Sequence, residues 1–245
     1  MPARLVHPQM FACATGVFDN KAMQTGPNIP SAQVVIYLKM DGSGATFVDS
    51  GPNNVTVTAN GAATQSSIAG AFGGKALVCG ANTSDYIGVA ANALFSLGDF
   101  TLTYRLCWLS GSAASQVEAL VDIGGYATGM SNRFAQDNTP RVSYWYNPGA
   151  AYNQSSALTI FDNVFYEVEI GRSGSTIYMF WNGVLVNTTG SMGWAFAATP
   201  AFRVGYVLAG GASNITQRIF DDLLIANVCL HTASYTPRTL SYNIV

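Results

Sequence analysis

Residues 164–188 read VFYEVEIGRSGSTIYMFWNGVLVNT, and the pattern in this stretch decides the fold. Val164, Tyr166, Val168 and Ile170 occupy every second position, with Glu167 and other residues between them. A period of two is that of a β-strand, because successive side chains of a strand point to opposite faces. The pattern therefore predicts a strand with one face towards a core and one face outward.

Two turn signals divide this stretch into three strands. Asn182-Gly183 is the strongest short-range hairpin signal in the chain, because both central residues of such a turn need a positive φ angle. Ser173-Gly174 gives a second turn directly after Arg172. Together they predict an antiparallel meander. Its predicted strands are 164–172, 176–181 and 184–188.

The same alternation recurs elsewhere in the chain, over 34–40, 100–108 and 117–123, with a shorter case at 55–58. No long window repeats apolar residues at the helical spacing of i, i+3, i+4 and i+7. The chain is therefore predicted to be all-β, a two-sheet antiparallel β-sandwich with little helix. We find no internal repeat and no domain boundary within 33–245.

Residues 1–32 lack this periodicity and contain four prolines. We therefore predict two parts, an extended N-terminal arm over 1–32 and the sandwich domain over 33–245. Such an arm is held either by its own domain or by a neighbouring subunit. Phe11, Val17 and Phe18 are the candidate arm residues for binding a partner.

The composition excludes several protein classes. The 245 residues are 49% hydrophobic but only 10% charged, against roughly 25% in ordinary soluble proteins, which excludes disorder. A net charge of −2 gives no basic surface for nucleic acid. No run of 18 apolar residues exists, so no transmembrane helix and no membrane partner are predicted. We recognise no signal peptide, so synthesis in a cytoplasm is expected.

The cysteines and histidines do not form a recognisable metal motif. The chain has four cysteines, at 13, 79, 107 and 229, without a C-x-x-C pair, and its two histidines are at 7 and 231. A zinc site is not expected from this spacing. The apolar neighbours of the cysteines favour buried free thiols, with a disulfide as the alternative.

An ordered series of short segments carries a family resemblance. Its members are FGGKAL at 72–77, SDYIGV at 84–89, GDFTL at 98–102, EVEIGR at 167–172, WNGV at 181–184, FDDLLI at 220–225 and YTP at 235–237. The series resembles the LamG-like, concanavalin A-like jelly-roll domains of bacteriophage virion proteins over roughly 33–240. The resemblance implies two antiparallel sheets packed face to face with adjacent terminal strands. Phe165-Tyr166 replaces a Trp-His pair that is frequent in the family.

This fold also hosts glycosidases, which need two carboxyl groups facing one sugar. Two pairs are spaced to share a strand face, Glu118 with Asp122 and Glu167 with Glu169. The related glucanases carry three acids as Glu-x-Asp-x-Glu, but residue 120 is Leu and no third acid follows Glu169. We therefore interpret both pairs as solvated strand faces, and we predict no catalytic residue.

Other chemical sites are equally unsupported by the sequence. Asp221 and Asp222 are interpreted as a hydrogen-bonding fixture on the last strand. No Gly-x-Ser-x-Gly motif and no phosphate-binding loop are present. Calcium needs six to eight oxygen ligands, and single aspartates such as Asp85, Asp99, Asp137 and Asp162 do not assemble a site. No metal or cofactor is predicted, with calcium as the open alternative.

An aromatic group is the best candidate for a glycan site or an interface. It consists of Tyr144, Trp145 and Tyr146 with Tyr126 and Tyr152 nearby in sequence. Flat aromatic faces stack on sugars and pack in interfaces. In the alternative interpretation, Tyr144 and Tyr146 face the core while Trp145 packs at an edge.

The low charge is the most informative feature for function. A weakly charged surface is typical of proteins that bind permanent neighbours. With the phage resemblance, this favours a non-enzymatic virion structural protein, specifically a capsid decoration or cement protein. Its expected partners are the major capsid protein, other virion proteins and copies of itself, in a virion assembled in the host cytoplasm. The alternatives are a tail-fibre or tail-tip module that binds host glycans and, third, a glycosidase.

Overall fold

We analysed a computed structural model of the chain. The residues that it describes are 11–12, 26–66, 70–79, 84–109, 118–125, 129–136, 139–146, 151–190, 195–205 and 217–245. Their secondary structure is almost entirely β, as predicted. The helical elements that are described in full are two three-residue 3-10 turns, Ser31–Gln33 and Ala93–Phe95.

The strands form two antiparallel sheets and one short parallel pair. In chain order they are β1 (Phe11–Ala12), β2 (Asn28–Ile29), β3 (Val34–Leu38), β4 (Thr58–Asn60), β5 (Thr64–Ser66), β6 (Ala76–Cys79), β7 (Tyr86–Val89), β8 (Phe100–Trp108), β9 (Glu118–Ile123), β10 (Met130–Gln136), β11 (Thr139–Tyr146), β12 (Ala151–Gln154), β13 (Val164–Ser173), β14 (Thr176–Trp181), β15 (Val184–Thr189), β16 (Phe202–Val204), β17 (Arg218–Ala226) and β18 (Asn243–Ile244).

The two sheets pack face to face as a sandwich. The large sheet has the strand order β15-β14-β13-β8-β17-β6-β5, and β1 and β3 add to it by pairing with β13 and β17. The small sheet has the order β12-β11-β10-β9-β16-β7-β4. The remaining pair, β2 with β18, joins a segment near the N-terminus to the end of the chain.

The predicted meander is confirmed as β13, β14 and β15. Arg172 pairs with Ile177 across the first turn, and Trp181 pairs with Val184 across the second. Asn182 and Gly183 have φ angles of 47° and 71°, as this two-residue turn requires. The alternating positions of β13 thereby place Val168 and Ile170 in the core.

The core between the sheets is built from the inward residues of both sheets. An aromatic cluster lies where β8, β13 and β14 run side by side. The Tyr166 and Trp181 rings stack with centroids 4.6 Å apart, and Trp108 packs against both at 6.3 and 6.5 Å. Tyr166 thus takes part in a fully aromatic contact within the core.

The outer face of the large sheet is covered by a C-terminal strap, defined as residues 228–245. Thr101 Oγ1 donates to the Val228 carbonyl at 2.8 Å, and the Tyr235 N–H donates to the Gly183 carbonyl at 2.8 Å. All nine residues of β8 and all nine of β17 are consequently buried. The expectation that β8 turns one face outward is therefore wrong, because the strap covers that face.

A bulge in β17 places two consecutive carboxylates on the outer face. The pairing of β17 with β8 shifts between Asp221 and Leu224, and Asp222 has a φ angle of 49°. This left-handed residue interrupts the alternation, so Phe220 and Leu223 both belong to the core while the two aspartates between them do not.

Two other predicted strands are altered. Alternation over 55–58 predicts a strand there, but β4 begins only at Thr58, and Val57 forms an isolated bridge with Phe47. The strand at 117–123 appears as β9 with a bulge opposite Asn132 and Arg133. Local alternation does not reveal either feature, because both depend on the partner strand.

Part of the predicted arm pairs with the sandwich itself. Phe11 and Ala12 pair with Phe165 and Val164 of β13, and Ile29 of β2 is buried beside the strap. The rest of the arm up to residue 25 lies outside the described residues.

Gly183 fixes the distance between the meander and the strap. A Cβ atom at Gly183 would lie 2.2 Å from the Tyr235 carbonyl oxygen, whereas one at Gly174 would meet no atom within 4 Å. Both glycines have positive φ. We predict that Gly174→Ala costs about 1 kcal/mol of unfolding free energy and that Gly183→Ala costs at least about 2 kcal/mol. Urea denaturation of the two variants checks this, and equal losses would contradict the strap contact.

Candidate functional site

A buried charge network lies between the large sheet and the strap. Arg105 Nη2 on β8 contacts Glu167 Oε2 on β13 at 2.9 Å, and Arg238 Nε of the strap contacts the same oxygen at 3.1 Å. Arg238 also pairs with Asp222 on β17. These four side chains are at most 6% exposed. Arg238 of the strap thus joins two buried carboxylates that come from two different strands.

The second part of the network is centred on Glu169. His231 Nδ1 lies 2.9 and 3.1 Å from its two carboxylate oxygens. The Tyr235 hydroxyl lies within hydrogen-bonding distance of Glu167 Oε1, at 2.8 Å, and of Glu169 Oε2, at 3.0 Å. The His231 and Tyr235 rings stack with centroids 3.7 Å apart. Strap residues therefore satisfy both glutamates of β13.

A glycine-rich loop closes the network on one side. Phe72 of this loop lies under the guanidinium groups of Arg105 and Arg238, at 4.9 and 5.6 Å from the ring centroid. The Ala71 N–H donates to Asp221 Oδ2 at 2.6 Å. The FGGKAL segment thus contributes a cover for the buried charges, which is consistent with a structural role.

Burial shifts the titration of these acids. Burial raises the pKa of Glu169, and the hydrogen bond and charge of His231 oppose that rise. Burial also holds the pKa of Asp221 well above its ordinary value, with a further contribution from the charge of Asp222. Both shifts favour the protonated acid and follow from packing of the strap and the loop over the sheet.

The arrangement of the carboxylates argues against the glycosidase alternative. Glu167 and Glu169 share a face, as predicted, but the interpretation of that face as solvated is wrong because they are 1% and 0% exposed. The second pair is separated by the β9 bulge. Asp122 pairs with Ser131 and Glu118 with Phe134, so the two acidic positions lie on opposite faces of the small sheet.

The aromatic candidates are divided between the two faces of the small sheet. Tyr144 is fully buried in the core, so the proposal that it contacts a glycan is corrected. Position 146 shares its face with Tyr144. Trp145 and Tyr152 are register partners on β11 and β12, and position 145 is on the opposite face from Tyr144. Tyr126 lies outside the described residues.

The arm candidates and the cysteines are placed in part. The main chain of Phe11 pairs with Phe165, whereas Val17 and Phe18 lie outside the described residues. Cys79 and Cys107 are buried free thiols, as predicted, and Cys229 is a half-buried free thiol. Cys13 lies outside the described residues.

The aspartates considered for calcium have separate structural roles. Asp85 Oδ1 accepts from the Ala62 N–H at 2.8 Å, and Asp99 Oδ1 accepts from the Gly174 N–H at 2.7 Å. Asp162 is exposed, and Asp137 lies outside the described residues. Within the described part of the chain, no group of three or more His, Cys, Asp or Glu side chains is arranged to hold a metal ion.

A surface groove of about 590 Å³ lies beside the start of β3. Its walls come from the 3-10 turn Ser31–Gln33, the loop containing Asn53, the segment that follows the 3-10 turn Ala93–Phe95, and the residue after β17. Apart from Asp99, which was considered for calcium, these positions do not stand out in the sequence as a site, because the groove is assembled from four distant segments. Nowhere in the described residues is a helix long and apolar enough to span a membrane.

The strap residues of the network were also missed by sequence reasoning. His231, Tyr235 and Arg238 fall where the chain shows no alternation, and only the YTP segment marks this region. The spacing of Phe220, Leu223 and Ile225, three residues and then two, is the one local signal of the β17 bulge.

Comparisons with known proteins bear on the fold. No protein-family profile and no curated protein matches the chain. Among solved structures, it is similar to the binding domain of Paraclostridial Mosquitocidal Protein 1, with a TM-score of 0.64 and 12% identity over 82% of this chain. It is also similar to the binding domain of botulinum neurotoxin serotype C1, with a TM-score of 0.64 and 14% identity over 82% of this chain.

A third similar structure concerns botulinum neurotoxin type C, whose cell entry is described as dependent upon interaction with two ganglioside molecules. It has a TM-score of 0.60 and 14% identity over 82% of this chain and 49% of that chain. The first two matches cover 50% of the solved chains. The chain thus spans about half the length of the structures it matches. The likeness shows the β-sandwich fold alone.

The network predicts a large stability difference between two arginines. Arg238→Met removes the cation that joins Glu167 to Asp222 and leaves both carboxylates buried. We predict a loss of about 3–5 kcal/mol in unfolding free energy. Arg172→Met removes the hydrogen bond that the half-buried Arg172 side chain donates to the Gly174 carbonyl. It should lower the unfolding free energy by no more than about 1 kcal/mol. Urea denaturation measures both, and similar losses would show that Arg238 does not hold the strap.

Proposed function

We propose that the chain is a non-enzymatic binding module of a bacteriophage virion. The observation that carries this proposal is the burial of many of its charged residues. The sequence holds eleven Lys and Arg and thirteen Asp and Glu, and at least ten of these 24 residues, all in the described part of the chain, are buried. They are Asp49, Asp85, Arg105, Asp122, Glu167, Glu169, Arg218, Asp221, Asp222 and Arg238. These charged residues belong to the interior of the fold, so at most fourteen charged residues can lie on the surface.

The non-enzymatic part follows from how the carboxylates are occupied. Glu167, Glu169 and Asp222 each contact an arginine, a histidine or a tyrosine hydroxyl of the strap. A glycosidase acid must instead face its sugar. The similar solved structures include binding domains by their titles, which agrees with this proposal.

The virion part follows from the weakly charged surface and the phage resemblance. Neutral, partly apolar surfaces suit permanent assemblies, where burial of apolar area stabilises the contact. Large exposed side chains such as Val184 and Val48 add to that surface. We propose that the protein decorates the capsid, binding the major capsid protein through the arm residues Val17 and Phe18 and through the sandwich surface.

Capsid binding tests this role with an arm variant. A truncation of residues 1–30 is unsuitable, because Ile29 is buried and β2 pairs with β18. We predict that Phe18→Ser lowers co-sedimentation with undecorated phage capsids at least ~10-fold, which is about 1.4 kcal/mol. Phe161→Ser, at an exposed aromatic outside the arm, is the matched control. Wild-type occupancy of Phe18→Ser would refute the role of the arm.

Glycan binding by a tail-fibre or tail-tip module is the second candidate function. Two observations favour it. Trp145 and Tyr152 are register partners near the edge of the small sheet, and β12 is the edge strand. One similar solved structure is a neurotoxin whose title reports interaction with gangliosides.

An array of host surface glycans tests the second candidate. Trp145→Ala should weaken glycan binding at this aromatic pair at least ~10-fold, because aromatic stacking contributes about 0.5–1.5 kcal/mol beyond its buried area. Phe161→Ala is the control for loss of an exposed aromatic ring. Glycan binding that survives Trp145→Ala would exclude the aromatic pair as its site, and recovery of cleaved glycans would contradict the non-enzymatic role.

A further inference from the structure

The groove beside β3 has the size of a small-ligand site. Its volume of about 590 Å³ lies within the roughly 300–1,000 Å³ of ligand pockets. It is open to solvent along one side and lies near the β3 edge of the sandwich, whereas Trp145 and Tyr152 lie towards the β12 edge. It is therefore a separate site from the aromatic pair.

One wall of the groove is held in place by hydrogen bonds. Asn53 Nδ2 donates to the Val34 and Val35 carbonyls at 3.1 and 3.0 Å. The Asn227 N–H donates to the Gln33 carbonyl at 2.9 Å. These bonds hold one wall against the start of β3.

The opposite wall is held by a capped 3-10 turn that packs on the core. Asn92 caps the 3-10 turn by accepting from the Leu94 N–H at 3.0 Å. Phe95 of the turn is fully buried and stacks on Phe202 of the small sheet with centroids 5.2 Å apart. A ligand would therefore enter a preformed cleft, which lowers the ordering cost of binding.

The chemistry of the lining selects the ligand class. The twelve lining residues include one carboxylate, Asp99, and no lysine, arginine or histidine, so an anion would find no counter-charge. The amide oxygens of Asn53 and Asn227 and the hydroxyls of Ser31 and Ser96 supply neutral hydrogen-bonding groups. One carboxylate is too few for a calcium site.

An apolar side chain completes the lining. Leu94 is 39% exposed and offers a surface for C–H groups. Hydroxyl groups that donate to a carboxylate, beside C–H groups that pack on an aliphatic side chain, are the two features of a neutral sugar ring. No aromatic residue belongs to the lining, so the binding energy comes from hydrogen bonds and aliphatic contact instead of ring stacking.

We propose that the groove beside β3 binds a neutral oligosaccharide, with Asp99 accepting hydrogen bonds from its hydroxyl groups and Leu94 packing on its C–H face. This inference rests on the glycan-binding role given above as the second candidate function, and it assigns that role a second, independent site.

Saturation-transfer difference NMR on the full chain tests the proposal with maltotriose, cellotriose and N-acetyllactosamine. Sialyllactose is the anionic contrast. Two variants alter the groove. Ser96→Trp fills it from an exposed position, and Asp99→Asn removes the charge while its amide oxygen still accepts from the Gly174 N–H. Asp162→Asn removes an exposed charge elsewhere and is the matched control.

The expected result is binding of at least one neutral sugar, weakened at least ~10-fold by Ser96→Trp and by Asp99→Asn. Asp162→Asn should leave it unchanged. If Trp145→Ala abolishes binding and Ser96→Trp does not, the groove is not the oligosaccharide site, and the glycan-binding role is still supported. Equal binding of sialyllactose would overturn the neutral ligand class. If none of the sugars binds, both the groove and the glycan role are overturned. The proposed capsid role does not depend on this result.

Discussion

The structure depends on the contacts of strap side chains with carboxylates on the outer face of the large sheet. Glu167, Glu169 and Asp222 project from that face, where a bare sheet would be solvated. Arg238 and His231 reach them from the strap, and Arg105 reaches Glu167 from β8. A buried ion pair contributes little net stability by itself, but loss of one partner leaves an uncompensated charge. The network therefore enforces a single position of the strap more than it adds to stability.

This constraint accounts for the other unusual features of the large sheet. The bulge at Asp222 places a second carboxylate in contact with Arg238. The glycine at 183 permits the close approach of the Tyr235 carbonyl. Phe72 covers the guanidinium groups from the side that the strap leaves open. The bulge, the glycine and the covering aromatic ring thus all support the contact between the strap and the large sheet.

Much of the fold could be predicted from the sequence. The alternation of 164–172 and 100–108 and the Asn182-Gly183 turn predicted strands and a meander that the structure confirms, because period and turn chemistry are local properties. The exposure of those strands could not be predicted in this way. Whether Glu167 is solvated or buried is decided by Arg238, 71 residues later, and no local pattern encodes that contact.

The same distinction holds for the candidate sites. The burial of Tyr144 agrees with its alternation, and the sequence had offered that alternative. The separation of Glu118 from Asp122 depends on one extra residue in β9, which only the register with β10 reveals. The groove draws on positions from Ser31 to Asn227, so its neutral lining becomes visible only after folding.

The position of β17 has a consequence for biosynthesis. This strand is central in the large sheet, between β8 on one side and β6 and β3 on the other, yet it is formed by residues 218–226 of 245. Pairings between such distant segments form slowly, because a long loop must close before they contribute. Residues 1–217 are therefore synthesised before this sheet can be completed. Until then the apolar edges of β8 and β6 are open to aggregation, which gives chaperones a defined interval in which to act.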